Sequence, residues 1–477
     1  MLKGTALLTF MLSLLAFLLI LVNGVHCFGE TKLLKLQQFQ WKQKWDASSC
    51  LPQKSRKEND ATILEMKHRD FCYGGGIKYW NKLLQKHLIL DDRRVQSLQA
   101  RIKNMASSKT EVSNTGIPLT SGVELGTLNY IVTVQLGGRK MTVIVDTGSD
   151  LTWVQCQPCK SCYNQKEPLF NPSASPSYKT VLCNSSDCQS LAFATGNTGF
   201  CGNNPPTCNY VVSYGDGSYT RGELAHDHLN LGNTPVDNFK FGCGRNNKGL
   251  FGGASGLMGL GRSSISLVSQ TSAIFGGFFS YCLPSAQAGA SGSLVLGGNS
   301  SVYKTSSPIS YTRMIPNPQL STFYFLNLTG VSVGGVTLQD SSFGKDGMLI
   351  DSGTVITRLP PTIYKALKAE FLKQFSSFPS APAFSILDTC FNLSAYQEVD
   401  VPTIKLQFEG NAEINVDISG VFYFVKTDAS QVCLAIASLS FEDEIGIVAN
   451  YQQRNQRVIY DTKESKLGFA QESCSFT

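Results

Sequence analysis

Short apolar runs, broken by glycine and polar turns, dominate the chain. Tyr130-Ile131-Val132-Thr133-Val134 reads as a strand, Gly137-Gly138 as a hairpin turn, and Val143-Ile144-Val145 as the returning strand, which runs into Asp146-Thr147-Gly148-Ser149. The phrase recurs once, as Met348-Leu349-Ile350 followed by Asp351-Ser352-Gly353-Thr354. Apolar residues running into a carboxylate, a hydroxyl and a glycine read as a buried strand closed by a tight turn. Strand patterns also cover residues 209–213, 323–328 and 421–425. The clearest helix spans 361–375, with Pro361 near its start and Ile363, Leu367 and Phe371 at helical spacing. A second helical period runs from Trp80 to Leu98. Strands do not alternate with helices, which argues against a doubly wound α/β sheet.

A carboxylate at the end of an apolar strand is costly to bury without hydrogen bonds. Asp146 and Asp351 lie 205 residues apart with matching neighbours, so they belong to separate folding units and are expected to meet. Two ordinary Asx turns are the bland alternative. A lone Asp-Thr-Gly would favour it; two copies, each after an apolar strand, do not. Asp146-Thr147-Gly148-Ser149 with Asp351-Ser352-Gly353-Thr354 resembles the paired active-site motifs of a pepsin-like aspartic endopeptidase. The resemblance covers about residues 117–477. It implies a mainly β, bilobal pepsin-like aspartic protease fold with an N-terminal signal and propeptide, and no cofactor. A weak internal repeat fits two lobes: Leu257 to Gly261 follows the first aspartate and Ile447 to Asn450 the second. In the resembled fold each segment passes beneath its own active-site loop. Ala449 stands where glycine is usual, and would be strained at positive φ.

Composition sharpens this picture. The 477 residues are 42% apolar and 16% charged, which suits a globular chain larger than one small domain. Residues 28–115 hold 17 Lys and Arg against 9 Asp and Glu, whereas residues 116–477 hold 23 against 26. A basic leader thus precedes a mildly acidic body, and nucleic-acid binding by the body lacks the basic stripe it would need. Residues 1–27 read as a secretory signal peptide, with Ala6 to Val22 almost wholly apolar; an uncleaved anchor is the competing reading. Cleavage after Gly24 or Cys27 fits equally. Residues 471–477 lack the hydrophobic tail of a lipid-anchor signal.

The expected organisation is signal peptide 1–27, propeptide and linker 28–115, N-terminal lobe with a Cys-rich insertion and flap 116–310, and C-terminal lobe 311–477. By the resemblance, the leader is an inhibitory propeptide removed on activation. A cationic segment can cover an anionic cleft, and acid weakens that pairing by protonating carboxylates. A solvated charged tail is the alternative.

The resemblance also assigns roles. Asp146 and Asp351 would share one proton, one drawing a proton from water while the other polarises the peptide carbonyl. Gly148 and Gly353 would let backbone amides approach the carboxylates. Thr147 and Ser352 would hydrogen-bond across between the two loops, and Ser149 and Thr354 would serve the outer carboxylate oxygens. Tyr214-Gly215-Asp216 looks like the flap over substrate, with Tyr214 hydrogen-bonded toward Trp153. A generic exposed hairpin is the plainer reading of that segment.

Of 15 cysteines, Cys27, Cys50 and Cys72 fall in the leader and twelve in the body. Cys156-Cys159-Cys162 has metal-ligand spacing, but exported thiols oxidise, so no metal is expected. The Cys-rich insertion early in the first lobe marks the plant nepenthesin-like group. That resemblance implies the pairs Cys156–Cys159, Cys162–Cys243, Cys183–Cys208, Cys188–Cys201, Cys282–Cys474 and Cys390–Cys433, a connectivity that spacing alone leaves open. Asn184, Asn299, Asn327 and Asn392 are glycosylation acceptors by sequence, Asn327 the weakest because it lies in a strand pattern. Only five histidines occur; His26, His68 and His87 lie in the signal or leader, and His226 with His228 makes only two potential ligands. Residues 256–261 lack the Lys-Ser/Thr of a phosphate loop.

These readings converge on a secreted, monomeric aspartic endopeptidase made as a zymogen, acting on protein or peptide at acidic pH, with its own propeptide as inhibitor. Apoplast is the expected compartment, ahead of vacuole or signal-anchored membrane. The rival is a non-catalytic inhibitor or binding protein on the same scaffold, which usually loses an active-site residue. A DNA-binding plastid relative would need a transit peptide and a basic body.

Overall fold

The computed structural model describes residues 29–36, 53–69, 80–107, 130–202, 205–214, 217–249, 251–285, 290–317, 320–338, 343 and 347–476. Residues 1–28, the linker 108–129, Cys27, Cys50, Cys72, Gly215 and Asp216 lie outside them.

The first lobe begins with the hairpin read from sequence, Tyr130–Leu136 paired with Arg139–Asp146. Its apolar residues are buried on both faces, because other strands cover each side. Gly256–Gly259 then runs parallel to the second strand, Gly259 opposite Asp146, and antiparallel to Trp153–Gln155. The second lobe repeats the arrangement. Gly446–Ala449 runs parallel to Met348–Asp351, Ala449 opposite Asp351, while Arg358 pairs antiparallel with Ile447. The weak repeat in the sequence is therefore a structural one.

A seven-stranded antiparallel sheet joins the lobes. Its order is Ser55–Glu58, Ala61–His68, Gly292–Leu296, Phe278–Cys282, Gln456–Asp461, Lys466–Gln471 and Ser310–Ile315. Phe279, Tyr281, Val458, Tyr460, Leu467 and Phe469 fill its buried face. The first two strands come from the basic leader. Ala61–His68 is buried along nearly its whole length, and its end also pairs with Tyr130 and Ile131. Another leader strand, Thr31–Lys35, is added to the edge of the second lobe against Glu398–Pro402. The sequence reads as partly helical here; these strands went unread because charged residues interrupt each of them, Lys32 and Lys35 in one, Arg56, Lys57 and Glu58 in the next, Glu65 and Lys67 in the third.

The helix Pro361–Phe375 has the predicted limits and buries Ile363, Leu367, Phe371 and Phe375. Two strand patterns are subdivided. Residues 323–328 become the strand Phe325–Leu326 and the start of Leu328–Val333. Residues 421–425 begin in a helical turn, Ile418–Val421, capped by Asp417, before the strand Phe422–Phe424.

All twelve body cysteines are disulfide-bonded, and four expected pairs are corrected. The bonds are Cys156–Cys243, Cys159–Cys162, Cys183–Cys201 and Cys188–Cys208. Cys156 lies beside Cys243 because Trp153–Gln155 runs parallel to Thr234–Lys248 there. In the insertion, burial sorts the partners: Cys188 and Cys208 are both buried and pair, leaving the more exposed Cys183 and Cys201 to each other. Cys282–Cys474 and Cys390–Cys433 pair as expected. Among the described residues, no helix is long and apolar enough to cross a membrane.

Candidate active site

Asp146 and Asp351 end equivalent strands, and both are buried. Each accepts a hydrogen bond from the glycine two residues on: Gly148 N–H at 3.0 Å and Gly353 N–H at 2.8 Å. The turns interlock. Thr147 N–H donates to Ser352 Oγ at 3.1 Å, and Ser352 N–H donates to Thr147 Oγ1 at 2.9 Å. A β-carbon on Gly148 would lie 2.6 Å from Asp351 Oδ1, and one on Gly353 would lie 2.3 Å from Asp146 Oδ1. Each glycine thus makes room for the opposite lobe's carboxylate. The outer oxygens differ. Thr354 Oγ1 donates to Asp351 Oδ2 at 2.6 Å. Ser149 favours the charged form of Asp146, but its hydroxyl forms no well-aligned hydrogen bond, and neither does Asp146 Oδ2.

One cation touches both aspartates. Arg94, on the leader helix Trp80–Ser107, places Nη2 2.8 Å from Asp146 Oδ1 and 3.0 Å from Asp351 Oδ2, while Nε lies 3.2 Å from Asp351 Oδ2. Burial lifts the Asp146 carboxyl above the usual carboxylate range; Arg94 opposes this, and the neighbouring Asp351 adds to it. Burial also pushes Asp351 upward, but Arg94, the Thr354 hydroxyl and the Gly353 amide outweigh it and hold the group below that range. Two carboxylates with matched sequences are thereby made unequal.

The helix fills the cleft around this contact. Leu84 and Leu88 pack with Val355, Ile356, Tyr423 and Tyr451. Val95 and Leu98 pack with Phe323, Leu349, Ile445 and Ile447. Gln99 pairs with the backbone of Ile445 like a neighbouring strand, donating at 2.7 Å and accepting at 3.0 Å. Asp91, one turn before Arg94, accepts from the N–H groups of Val355 at 2.6 Å and Ile356 at 3.1 Å. A small cavity of about 70 Å³ remains, lined in part by Arg94, Leu98, Ser149 and Tyr214.

Tyr214 follows the strand Cys208–Ser213, which pairs with Tyr219–Leu231 in a hairpin. Tyr214 N–H donates to Ser218 O at 2.8 Å, and Trp153 Nε1 donates to Tyr214 Oη at 2.7 Å. The two rings share Phe251 as a neighbour. Asn184 and Asn299 are exposed, whereas Asn327 and Asn392 are half-buried. His228 Nδ1 meets Asp237 Oδ1 at 2.6 Å on the surface. Among the described residues, no group of three or more His, Cys, Asp or Glu is placed to hold a metal.

Sequence reasoning missed Arg94, Asp91, Gln99 and Arg358. Only the basic balance of the leader and its helical period hinted at the first three; Arg358 lies in the second lobe. Asp91 and Arg94 are three residues apart, hence on one helix face.

Two family profiles cover most of this architecture: Xylanase inhibitor N-terminal matches residues 130–298 and Xylanase inhibitor C-terminal residues 323–471. An aspartyl protease family protein of Arabidopsis thaliana is 44% identical over 396 residues, spanning 81% of this chain and 82% of its own. Aspartic proteinase nepenthesin-1 of Nepenthes gracilis is 34% identical over 405 residues, spanning 82% and 86%. Among solved structures, basic 7S globulin from soybean shares the fold at a TM-score of 0.57, with 19% identity over 73% of this chain and 95% of that one. The chain belongs to the aspartyl protease family, in its nepenthesin-like group, and is an aspartic-type endopeptidase with a pepsin-like bilobal fold.

Proposed function

We propose that Asp146 and Asp351 form a catalytic dyad that hydrolyses peptide bonds at acidic pH through an activated water, and that residues 28–115 hold the enzyme as a zymogen. The observation carrying this reading is the convergence of both carboxylates on one nitrogen, Arg94 Nη2. Side chains gathered by a single cation are close enough to act on one water once that cation leaves. Two such carboxylates do not both ionise cheaply, so the freed pair holds one proton between them. The ionised member takes a proton from water as it attacks the carbonyl carbon, and the protonated member donates to the carbonyl oxygen. Collapse of the tetrahedral intermediate returns a proton to the leaving amine. Such proton sharing in aspartic proteases is a standard worked case of split carboxylate pKa values. Thr147, Gly148, Ser149, Ser352, Gly353 and Thr354 would fix the carboxylates, and the Tyr214 flap with Trp153 would close over substrate.

The leader helix supports the zymogen reading because it occupies the cleft with apolar side chains, Gln99 and Arg94 together. Export accords with the apolar segment at residues 6–22 and six disulfides among the described residues, and the mature enzyme is proposed to be a monomer in the apoplast. The matched profiles carry the name of an inhibitor, which favours one second reading: a binding protein without activity. The deciding experiment is cleavage of a denatured protein by the acid-matured chain. Activity blocked by pepstatin and abolished in Asp146→Asn upholds the dyad; a mature protein that is inactive and does not bind pepstatin sinks it.

A further inference from the structure

The leader helix makes a second buried ionic contact, away from the dyad. Asp91 places one carboxylate oxygen on Val355 N–H and the other on Ile356 N–H. Arg358 Nη2 lies 3.1 Å from Asp91 Oδ2, and Arg358 and Asp91 are both essentially without exposure. The guanidinium is held in place by Nη1, which donates to Ile356 O at 2.7 Å. Asp92, on the rim, approaches the same Nη2 at 3.8 Å. Two adjacent amides therefore donate to one carboxylate, and a fixed guanidinium lies beside it as an ion pair, its Nη2 without an aligned hydrogen bond.

This constellation is built almost wholly by the second lobe. Val355, Ile356 and Arg358 follow directly from the Asp351 turn and belong to the protease body, whereas only the anion comes from the leader. When the helix departs, Arg358 loses both Asp91 and Asp92, and the two amides lose their acceptor. A substrate carboxylate seated between the two amides and Arg358 would restore the contacts that the leader made there.

We propose that Val355, Ile356 and Arg358 form a substrate subsite selective for an acidic side chain, with Asp91 standing in for that side chain in the leader-bound form. The inference rests on the proposed function, because the site opens only when the leader vacates the cleft. Asp91 precedes Arg94 by three residues, a rise of about 4.5 Å along a helix, whereas an extended peptide advances ~3.3 Å per residue. The acidic residue of the substrate therefore lies within a few positions of the cleaved bond. Charge and shape act together here: an amide of equal size offers one acceptor oxygen where the site presents donors to two.

The test uses the full chain, matured in acid, and pairs of peptides carrying Asp or Asn at each position flanking the cleaved bond. At about pH 5, kcat/KM for one position is expected to favour Asp over Asn by ~10-fold. The ratio cancels titration of the dyad, which both peptides share. Arg358→Gln should bring the ratio to about one at pH 5, and Arg358→Lys should keep part of it, since it retains the charge without the fork. If Arg358 only staples the leader in place, an active wild-type enzyme will cleave Asp and Asn peptides equally at every position, and the subsite is refuted while the dyad stands. An Asp preference that survives in Arg358→Gln refutes it as well. Should neither variant fold, the wild-type ratio decides alone. Absence of cleavage of any peptide overturns the proposed function and the subsite with it.

Discussion

Thr147 and Ser352 each accept the other's backbone N–H, at 2.9 and 3.1 Å, across the junction of the two lobes. Neither residue is exposed to water, so neither amide has solvent to fall back on. Ser352→Ala would leave Thr147 N–H buried and unpaired, at a cost of about 1–3 kcal/mol. A lower denaturation midpoint, with kcat reduced more than KM is raised, is the expected outcome. Ser352→Thr keeps the hydroxyl and should recover most of both. Equal stability in Ser352→Ala and the parent would refute the reciprocal bond.

Gly353 faces Asp146 so closely that the side chain of alanine has no place there. Its β-carbon would sit 2.3 Å from Asp146 Oδ1. Gly353→Ala must push one aspartate away from the other, and displacements of about 1 Å at reacting groups can cost ~100-fold in rate. The mature variant is expected to fold, keep its disulfides and lose at least that factor in kcat/KM on a denatured protein. Gly148→Ala should act alike, because its β-carbon would meet Asp351.

What the residue order conveyed was local. Asp146 and Asp351 were legible because the strand, the carboxylate and the turn glycine sit in one short phrase, written twice. The helix Pro361–Phe375 was legible because a single apolar stripe meets one core. Arg94 was not: its partner Asp351 lies 257 residues away, and nothing near Arg94 distinguishes it from Arg93 until the helix is laid in the cleft. Disulfide partners in the insertion were hidden for a related reason. Spacing is silent on burial, and burial separates Cys188 and Cys208 from Cys183 and Cys201.

In the proposed zymogen, Arg94 would give leader docking a pH dependence of definite sign. Arg94 favours the charged form of both aspartates while docked, so its own contact with the pair is strongest when both are ionised. The contribution of Arg94 to docking is therefore full above the ordinary carboxylate range of about 4 and weakens as pH falls through it. Asp146, raised by burial, takes its proton first; Asp351, held low, takes it last. Asp91 opposes the trend, because burial raises it and its contact weakens as pH rises. The part of docking that Arg94 itself carries is thus lost in acid, whereas the part carried by Asp91 is not. Arg94→Gln in the full-length chain should move the activation midpoint, followed by appearance of the shortened chain, to higher pH. An unchanged midpoint would remove Arg94 from the latch.

Ala449 and Gly259 occupy equivalent places, opposite Asp351 and Asp146, yet they should respond differently to exchange. A β-carbon on Gly259 would meet Asp150 O at 2.2 Å, so Gly259→Ala must displace the loop that follows the first aspartate. Ala449 is buried without such a collision, its φ is not among the positive ones, and its N–H donates to Thr357 Oγ1 at 3.0 Å. Alanine at this position is thus no defect of the second lobe. Ala449→Gly should bring no gain in activity and a loss of about 0.5–1 kcal/mol in stability, from the added freedom of glycine in the unfolded chain. Gly259→Ala should cost more than that and lower kcat/KM besides. Denaturant unfolding of both variants beside the parent checks the order, and a stabilised Ala449→Gly would mean that the second lobe carries backbone strain after all.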